Sequence, residues 1–269
     1  MNALMKTLIL LSTLFVLGCS SKPIMSSTVH TYTPSSWSEP LQGDLMRPAG
    51  VSKPAVVVVI HGGGWRSGSR HSGYVQRINQ EILSAGFAVF NVSYRFAPNH
   101  RFPAQLEDIT QAITWLQQEG QALGVDTQRV ALWGYSAGAH LASLAAMTEQ
   151  ALPIRAVVAG GTPADLQVWP RSPMVHALIG QGLDEAPAIW AKASPVTQVS
   201  PNTPPHFLYH GRWDTLVSFD QALKLEAALK EQGVPVQLVA RPIYGHLLTA
   251  ALPGNSYQQA TAFLTQYLR

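Results

Sequence analysis

Continuous apolar runs alternate along this chain with stretches of helical spacing. Pro54-Ala55-Val56-Val57-Val58-Val59-Ile60 is unbroken and β-branched, the mark of a strand covered on both faces in a parallel sheet. Residues 87–94, the run ending at Tyr135, and residues 154–159, 206–210 and 236–240 repeat that signal. Between them, residues 74–85, 105–118 and 218–232 have helical spacing, with Ile109, Ala112, Ile113 and Leu116 sharing one face. Gly86 and Gly233 are placed to end the first and third of these helices. Residues 124–129 read as a turn, and a closing helix is expected to start at Asn255 or Ser256. This alternation predicts an α/β fold, a mostly parallel central sheet with helices on both faces. One stretch departs from it. Residues from Thr162 to about 205 hold Trp169, Trp190 and many prolines, and such a long insertion after a strand predicts a small cap or pocket wall.

Composition narrows the class. The chain has 269 residues, 46% apolar and 12% charged, which suits one large-cored domain and excludes disorder. The net charge is +3 without a Lys/Arg cluster, so a nucleic-acid partner is not expected. Cys19 is the single cysteine, which forbids an intrachain disulfide. No His/Cys/carboxylate set has metal-ligand spacing, so neither a metal nor a cofactor is expected.

The N-terminus stands apart. Lys6 precedes an apolar run over residues 8–17, too short for an ordinary spanning helix, which ends in Val16-Leu17-Gly18-Cys19. This resembles a bacterial lipoprotein signal. The resemblance implies removal of residues 1–18 and lipidation of Cys19, which would anchor the chain in the bacterial envelope. Ser20 in the second mature position favours the outer membrane, facing the periplasm or the exterior. A plain secretory peptide with an incidental cysteine is the other reading. Residues 19–40, rich in Ser, Thr and Pro, read as a tether, and residues 41–269 as the single domain.

The chemistry centres on Leu132-Trp133-Gly134-Tyr135-Ser136-Ala137-Gly138-Ala139-His140. An apolar run enters Gly-x-Ser-x-Gly and an Ala-rich helical pattern leaves it, so Ser136 is expected on a tight strand-to-helix turn. There its hydroxyl is exposed, and amides at the helix start face a forming oxyanion. The three glycines of His61-Gly62-Gly63-Gly64-Trp65, directly after the β-branched strand, let amides converge on a negative oxygen.

These two motifs, with Tyr94-Arg95-x-Ala97-Pro98, Phe102-Pro103-Ala104 plus Asp108, and Asp126-x-x-Arg129, resemble the α/β-hydrolase fold. Within it they are similar to the hormone-sensitive-lipase-like carboxylesterases. Ser-Ala-Gly-Ala-His-Leu-Ala is similar to the branch containing arylformamidases and feruloyl or acetyl esterases. The resemblance runs from about Leu45 to the end. It implies a triad in the order Ser136, Asp214, His246, each on a loop after a strand, with Asp214 in His210-Gly211-x-x-Asp214 and His246 in Gly245-His246. It adds Gly63 and Gly64 to the Ala137 amide as oxyanion donors.

Rival acids read as less suitable: Asp220 lies inside a helix, Asp165 in the insertion, and Asp108 is placed to brace a loop. Trp65, Tyr135, Trp169 and Trp190 are candidate pocket residues or core. His140 is either a packed helix residue or a pocket-floor contact. His61 reads as an anchor of the glycine loop, and the remaining histidines, His210 included, as surface or structural. The implied reaction is cleavage of carboxylic esters, of short-chain or aryl acyl groups, through an acyl-enzyme. Its substrate would be a small-molecule or glycan-linked ester. An arylformamidase-type amide hydrolase and a glycan deacetylase or feruloyl esterase stay open, as does a catalytically inactive ligand-binding lipoprotein.

Overall fold

Val56 to Val59 have no solvent exposure, and their strand, β3 (Ala55–Ile60), lies deep in an eight-stranded sheet. The structure, a computed structural model, describes residues 24–37, 39–147 and 154–269. The other strands are β1 (Ile24–Thr31), β2 (Gln42–Pro48), β4 (Ala88–Val92), β5 (Asp126–Tyr135), β6 (Ile154–Gly160), β7 (His206–Gly211) and β8 (Val236–Arg241), in the order β1-β2-β4-β3-β5-β6-β7-β8. From β4 to β8 across the sheet all pairs are parallel, and β2 runs antiparallel to both its neighbours.

Helices cover both faces, as the alternation predicts. On one face α1 (Gly73–Ser84) and α8 (Ser256–Leu268) pack Ile78, Ile82, Tyr257 and Phe263 against Val57, Val59 and Trp133. On the other, α2 (Ala104–Glu119), α3 (Ala137–Ala146) and α6 (Asp220–Glu231) bring Ile109, Ile113, Leu141 and Leu225 against Val56, Val58 and Leu132. Burying each such side chain contributes about 1.5–3 kcal/mol. The period-two alternation of each strand thus builds two cores from one apolar run.

Two expectations are corrected. Residues 24–31, expected within the tether, form β1, paired with β2 from Ile24↔Pro48 to Thr31↔Gln42. The Ser/Thr-rich composition hid a strand whose stability comes from its ladder and from the Arg47 side chain, which donates to Ser26 Oγ at 2.9 Å. Residues 126–129, expected as a turn, begin β5, where Asp126 holds the Gln128 amide and the Arg129 guanidinium at 2.9 and 2.7 Å. The closing helix does start as expected, at Ser256 with Asn255 in the N-cap position, although no side-chain cap hydrogen bond is made there. Residues 1–18 and Cys19 lie outside the described residues. Among the described residues, no helix is long and apolar enough to cross a membrane.

The insertion folds into α4 (Pro173–Ile179) and α5 (Pro187–Lys192), flanked by one-turn 3-10 helices at Leu166–Val168 and Pro195–Thr197. Its prolines start these short elements, where the missing N–H costs nothing. Trp190 is fully buried and donates its indole N–H to the Gln181 carbonyl at 3.0 Å, so it holds the insertion together.

Candidate active site

Ser136 stands between β5 and α3 with φ +56°, a backbone conformation that L side chains rarely adopt. The surrounding packing enforces it. The Ser136 amide donates to the Gly160 carbonyl at 2.8 Å, and Gly138 lies so close to β3 that a Cβ there would stand 2.1 Å from the Ile60 carbonyl oxygen. The hydroxyl is thereby projected beyond the carboxyl ends of the parallel strands, where open α/β sheets place their ligands.

Two further loops meet it there. His246 opens α7 (His246–Ala251), a short helix absent from the sequence reading, and Asp214 follows β7. His246 Nδ1–H donates to Asp214 Oδ2 at 2.6 Å, which leaves Nε2 to accept from the Ser136 hydroxyl at 2.9 Å. The loops are tied through their backbones, Trp213 N–H donating to the Tyr244 carbonyl at 3.1 Å. The Tyr135 hydroxyl donates to the His246 carbonyl at 2.5 Å, locking the serine strand to the histidine loop. Asp214 Oδ1 accepts the amides of Leu216 and Val217 at 3.0 and 2.8 Å. Burial opposes ionisation of Asp214, but hydrogen bonds from His210, His246 and Val217 outweigh it and hold the carboxyl well below the usual carboxylate range.

The glycine loop faces the same hydroxyl. Gly63 has φ +131°, and a Cβ on it would lie 2.0 Å from the Ser67 carbonyl oxygen, so only glycine fits. Gly62 donates its amide to the Tyr74 hydroxyl at 2.6 Å. By contrast, the amides of Gly63, Gly64 and Ala137 meet no protein acceptor among the described residues. His61 stacks on Tyr94 at 4.4 Å and bonds the Gly62 carbonyl through Nδ1 at 2.8 Å, the anchoring contact its position suggested. Asp108 braces the next loop, accepting the Arg95 amide and Nε, each at 2.8 Å. Asp165 pairs with Lys224 at 2.7 Å, and Asp220 lies in the first turn of α6.

A cleft of about 200 Å³ opens at Ser136, with Gly64, Trp65, Ala137 and Trp169 in its wall. Of the candidate pocket residues, Trp65 and Trp169 line it. Tyr135, His140 and Trp190 do not, and for each the reason is local. Tyr135 shares its strand face with Trp133 and packs toward α1 and α8. His140 is fully buried behind Trp65, and Trp190 is internal to the insertion. The sequence reading missed Met174 and Val175 of α4 and Leu216 and Val217 beside Asp214, all four of which line the cleft. Leu216 and Val217 were legible in principle, since they follow the acid at once. It also missed His210, whose Nε2 lies 3.3 Å from Asp214 Oδ2.

Residues 44–229 match the BD-FAE family. The chain belongs to that family. This BD-FAE chain is 29% identical over 246 residues to Esterase LipC of Mycobacterium tuberculosis, a match covering 81% of the chain and 60% of LipC. With the Ethyl acetate hydrolase of Pseudomonas putida it shares 32% identity over 216 residues, 71% of the chain and 65% of that enzyme. The chain thus spans less than two thirds of either relative. A solved structure described as a truncated form of carbohydrate esterase from gut microbiota superposes with a TM-score of 0.81 at 22% identity, covering 92% and 98% of the two chains. The fold is that of the α/β-hydrolases, as the spaced motifs implied.

Proposed function

We propose that the chain is a carboxylesterase that works through a serine acyl-enzyme. The observation carrying this reading is the continuous hydrogen-bonded line from Ser136 Oγ through His246 to Asp214, opening into the cleft beside Gly64 and Ala137. The Ser136 hydroxyl proton passes to His246 Nε2 as Oγ attacks the acyl carbon. The resulting oxyanion takes hydrogen bonds from the Gly63, Gly64 and Ala137 amides, while Asp214 stabilises the imidazolium and holds its orientation. His246 then returns the proton to the leaving alkoxide, and a water activated by the same ring releases the acid.

The dimensions of the cleft favour a short-chain or single-ring acyl group. Sites for drug-sized ligands hold about 300–1,000 Å³, and this one, at about 200 Å³ and with mostly apolar walls, is smaller. The names of two relatives, an ethyl acetate hydrolase and a carbohydrate esterase, agree with an acetyl-like group on an alcohol or a sugar hydroxyl. Anchorage in a bacterial envelope through Cys19 is part of this proposal and rests on the lipoprotein-like N-terminus. The test is turnover of p-nitrophenyl acetate by the wild type and by Ser136→Ala. Hydrolysis lost in the variant supports the reading, and a wild type no faster than Ser136→Ala overturns it.

A further inference from the structure

The aspartate of the proposed triad is shared between two imidazoles. His246 donates to Oδ2 from one side at 2.6 Å, and His210, on β7, approaches the same oxygen with Nε2 at 3.3 Å. His210 is 1% exposed, and its Nε2 also lies 2.8 Å from the Val217 carbonyl. Only Nε2–H serves both oxygens, so the proton sits there. Nδ1 is then the acceptor, and it has no partner among the described residues. The ring of Phe219 meets His210 edge-on at 5.8 Å between centroids and limits its rotation.

We propose that His210 is a positioning residue for ester hydrolysis, holding Asp214 Oδ2 aimed at His246 throughout the proton transfer. The inference rests on the esterase reading above. The physical argument concerns the two ends of the carboxylate. Oδ1 is pinned by the two backbone amides of Leu216 and Val217, which belong to the loop itself. Among the described residues, Oδ2 would otherwise be held only by His246, the ring whose charge changes during the reaction. A fixed donor from the rigid strand β7 keeps Oδ2 in place as that charge comes and goes, so less reorganisation accompanies the transition state. The bond to Val217 closes the Asp214 turn from the same atom, so one N–H sets both the loop and the acid.

Two amide variants separate this role from packing. A Gln at 210 reaches with its Nε2 to where the imidazole Nε2 stands, whereas an Asn stops near Nδ1 and leaves Oδ2 unserved. A hydrogen bond to a charged group contributes about 1.5–3 kcal/mol, so His210→Asn is expected to lower kcat on p-nitrophenyl acetate about tenfold or more with KM unchanged. His210→Gln is expected to restore most of that loss. An Asn variant with wild-type kcat, or a Gln variant as slow as the Asn one, overturns the inference. Where His210→Asn does not fold, His210→Gln decides alone: kcat near wild type supports the inference and a loss of about tenfold refutes it. A wild type without Ser136-dependent turnover instead sinks the esterase reading, and the role of His210 with it.

Discussion

The indole N–H of Trp65 donates to His140 Nδ1 at 3.1 Å, and the same ring donates from Nε2 to the Ala193 carbonyl at 2.7 Å. One imidazole on the helix after Ser136 thus ties the glycine loop to the insertion that roofs the cleft. Burial pushes His140 down to about 4, so the ring is neutral and can accept on one side while donating on the other. His140→Leu strands the Trp65 indole and the Ala193 carbonyl in the interior, at about 1–3 kcal/mol for each group left unpaired. Urea unfolding is expected to show that loss of stability, and ester KM is expected to rise as the Trp65 wall loosens. A midpoint equal to wild type would remove the bridge from the account.

Gly63→Ala attacks the oxyanion loop at its tightest point, where the added methyl meets the Ser67 carbonyl oxygen at 2.0 Å. The loop must shift to admit it and takes the amides with it. Loss of one oxyanion donor costs about 2.7–4 kcal/mol of transition-state stabilisation, so kcat on short esters is expected to fall about 10²–10³-fold. Labelling of Ser136 by a fluorophosphonate, compared between wild type and variant, checks that the fold and the triad survive.

Met174 projects from α4 toward Gly64, its sulfur 2.9 Å from where a Cβ on that glycine would stand, and it forms part of the cleft wall. Met174→Ala enlarges the cleft on the side facing the oxyanion loop. The expected outcome is a shift of kcat/KM from p-nitrophenyl acetate toward the butyrate and octanoate esters, with the largest relative gain for octanoate. An unchanged chain-length profile would place the acyl group elsewhere.

Burial pushes His61, His140 and His206 each down to about 4, against about 6.5 for a solvated imidazole. Between these values the unfolded chain binds protons that the folded protein refuses. Stability from these three groups is therefore complete above about pH 6.5 and is lost as pH falls toward 4, by about 1.4 kcal/mol per pH unit for each histidine. Denaturant unfolding at pH 7.5, 6 and 5 is expected to show this decline. His140→Gln is expected to flatten it by about one proton's worth.

Much of this architecture is written in short-range pattern. The run of residues 54–60 announces a buried parallel strand because nothing but β-branched and apolar side chains fits there, and Gly-x-Ser-x-Gly announces its turn because both glycines face backbone. Asp214 and His246 are legible through their order after Ser136 and through the residues beside them. Other features depend on distance in the fold. β1 is mostly polar and shows no apolar/polar alternation, with Ser27, Thr28, Val29 and Thr31 exposed, so its partner strand, not its own composition, makes it a strand. Tyr135 precedes Ser136 and Trp190 lies in the insertion, but only the strand face and the folding of the insertion decide that they point away from the cleft. His210 looked structural because its contact with Asp214 follows from how the β7 loop curls back, four residues on.

The register of β1 carries a consequence for how the molecule presents itself. β1 runs in the same direction as β4, so Thr31 lies at the end of the sheet where Ser136 emerges and Ile24 at the opposite end. β1 therefore enters the sheet at the end opposite the cleft, and the mouth at Ser136 opens at the other end, away from Ile24.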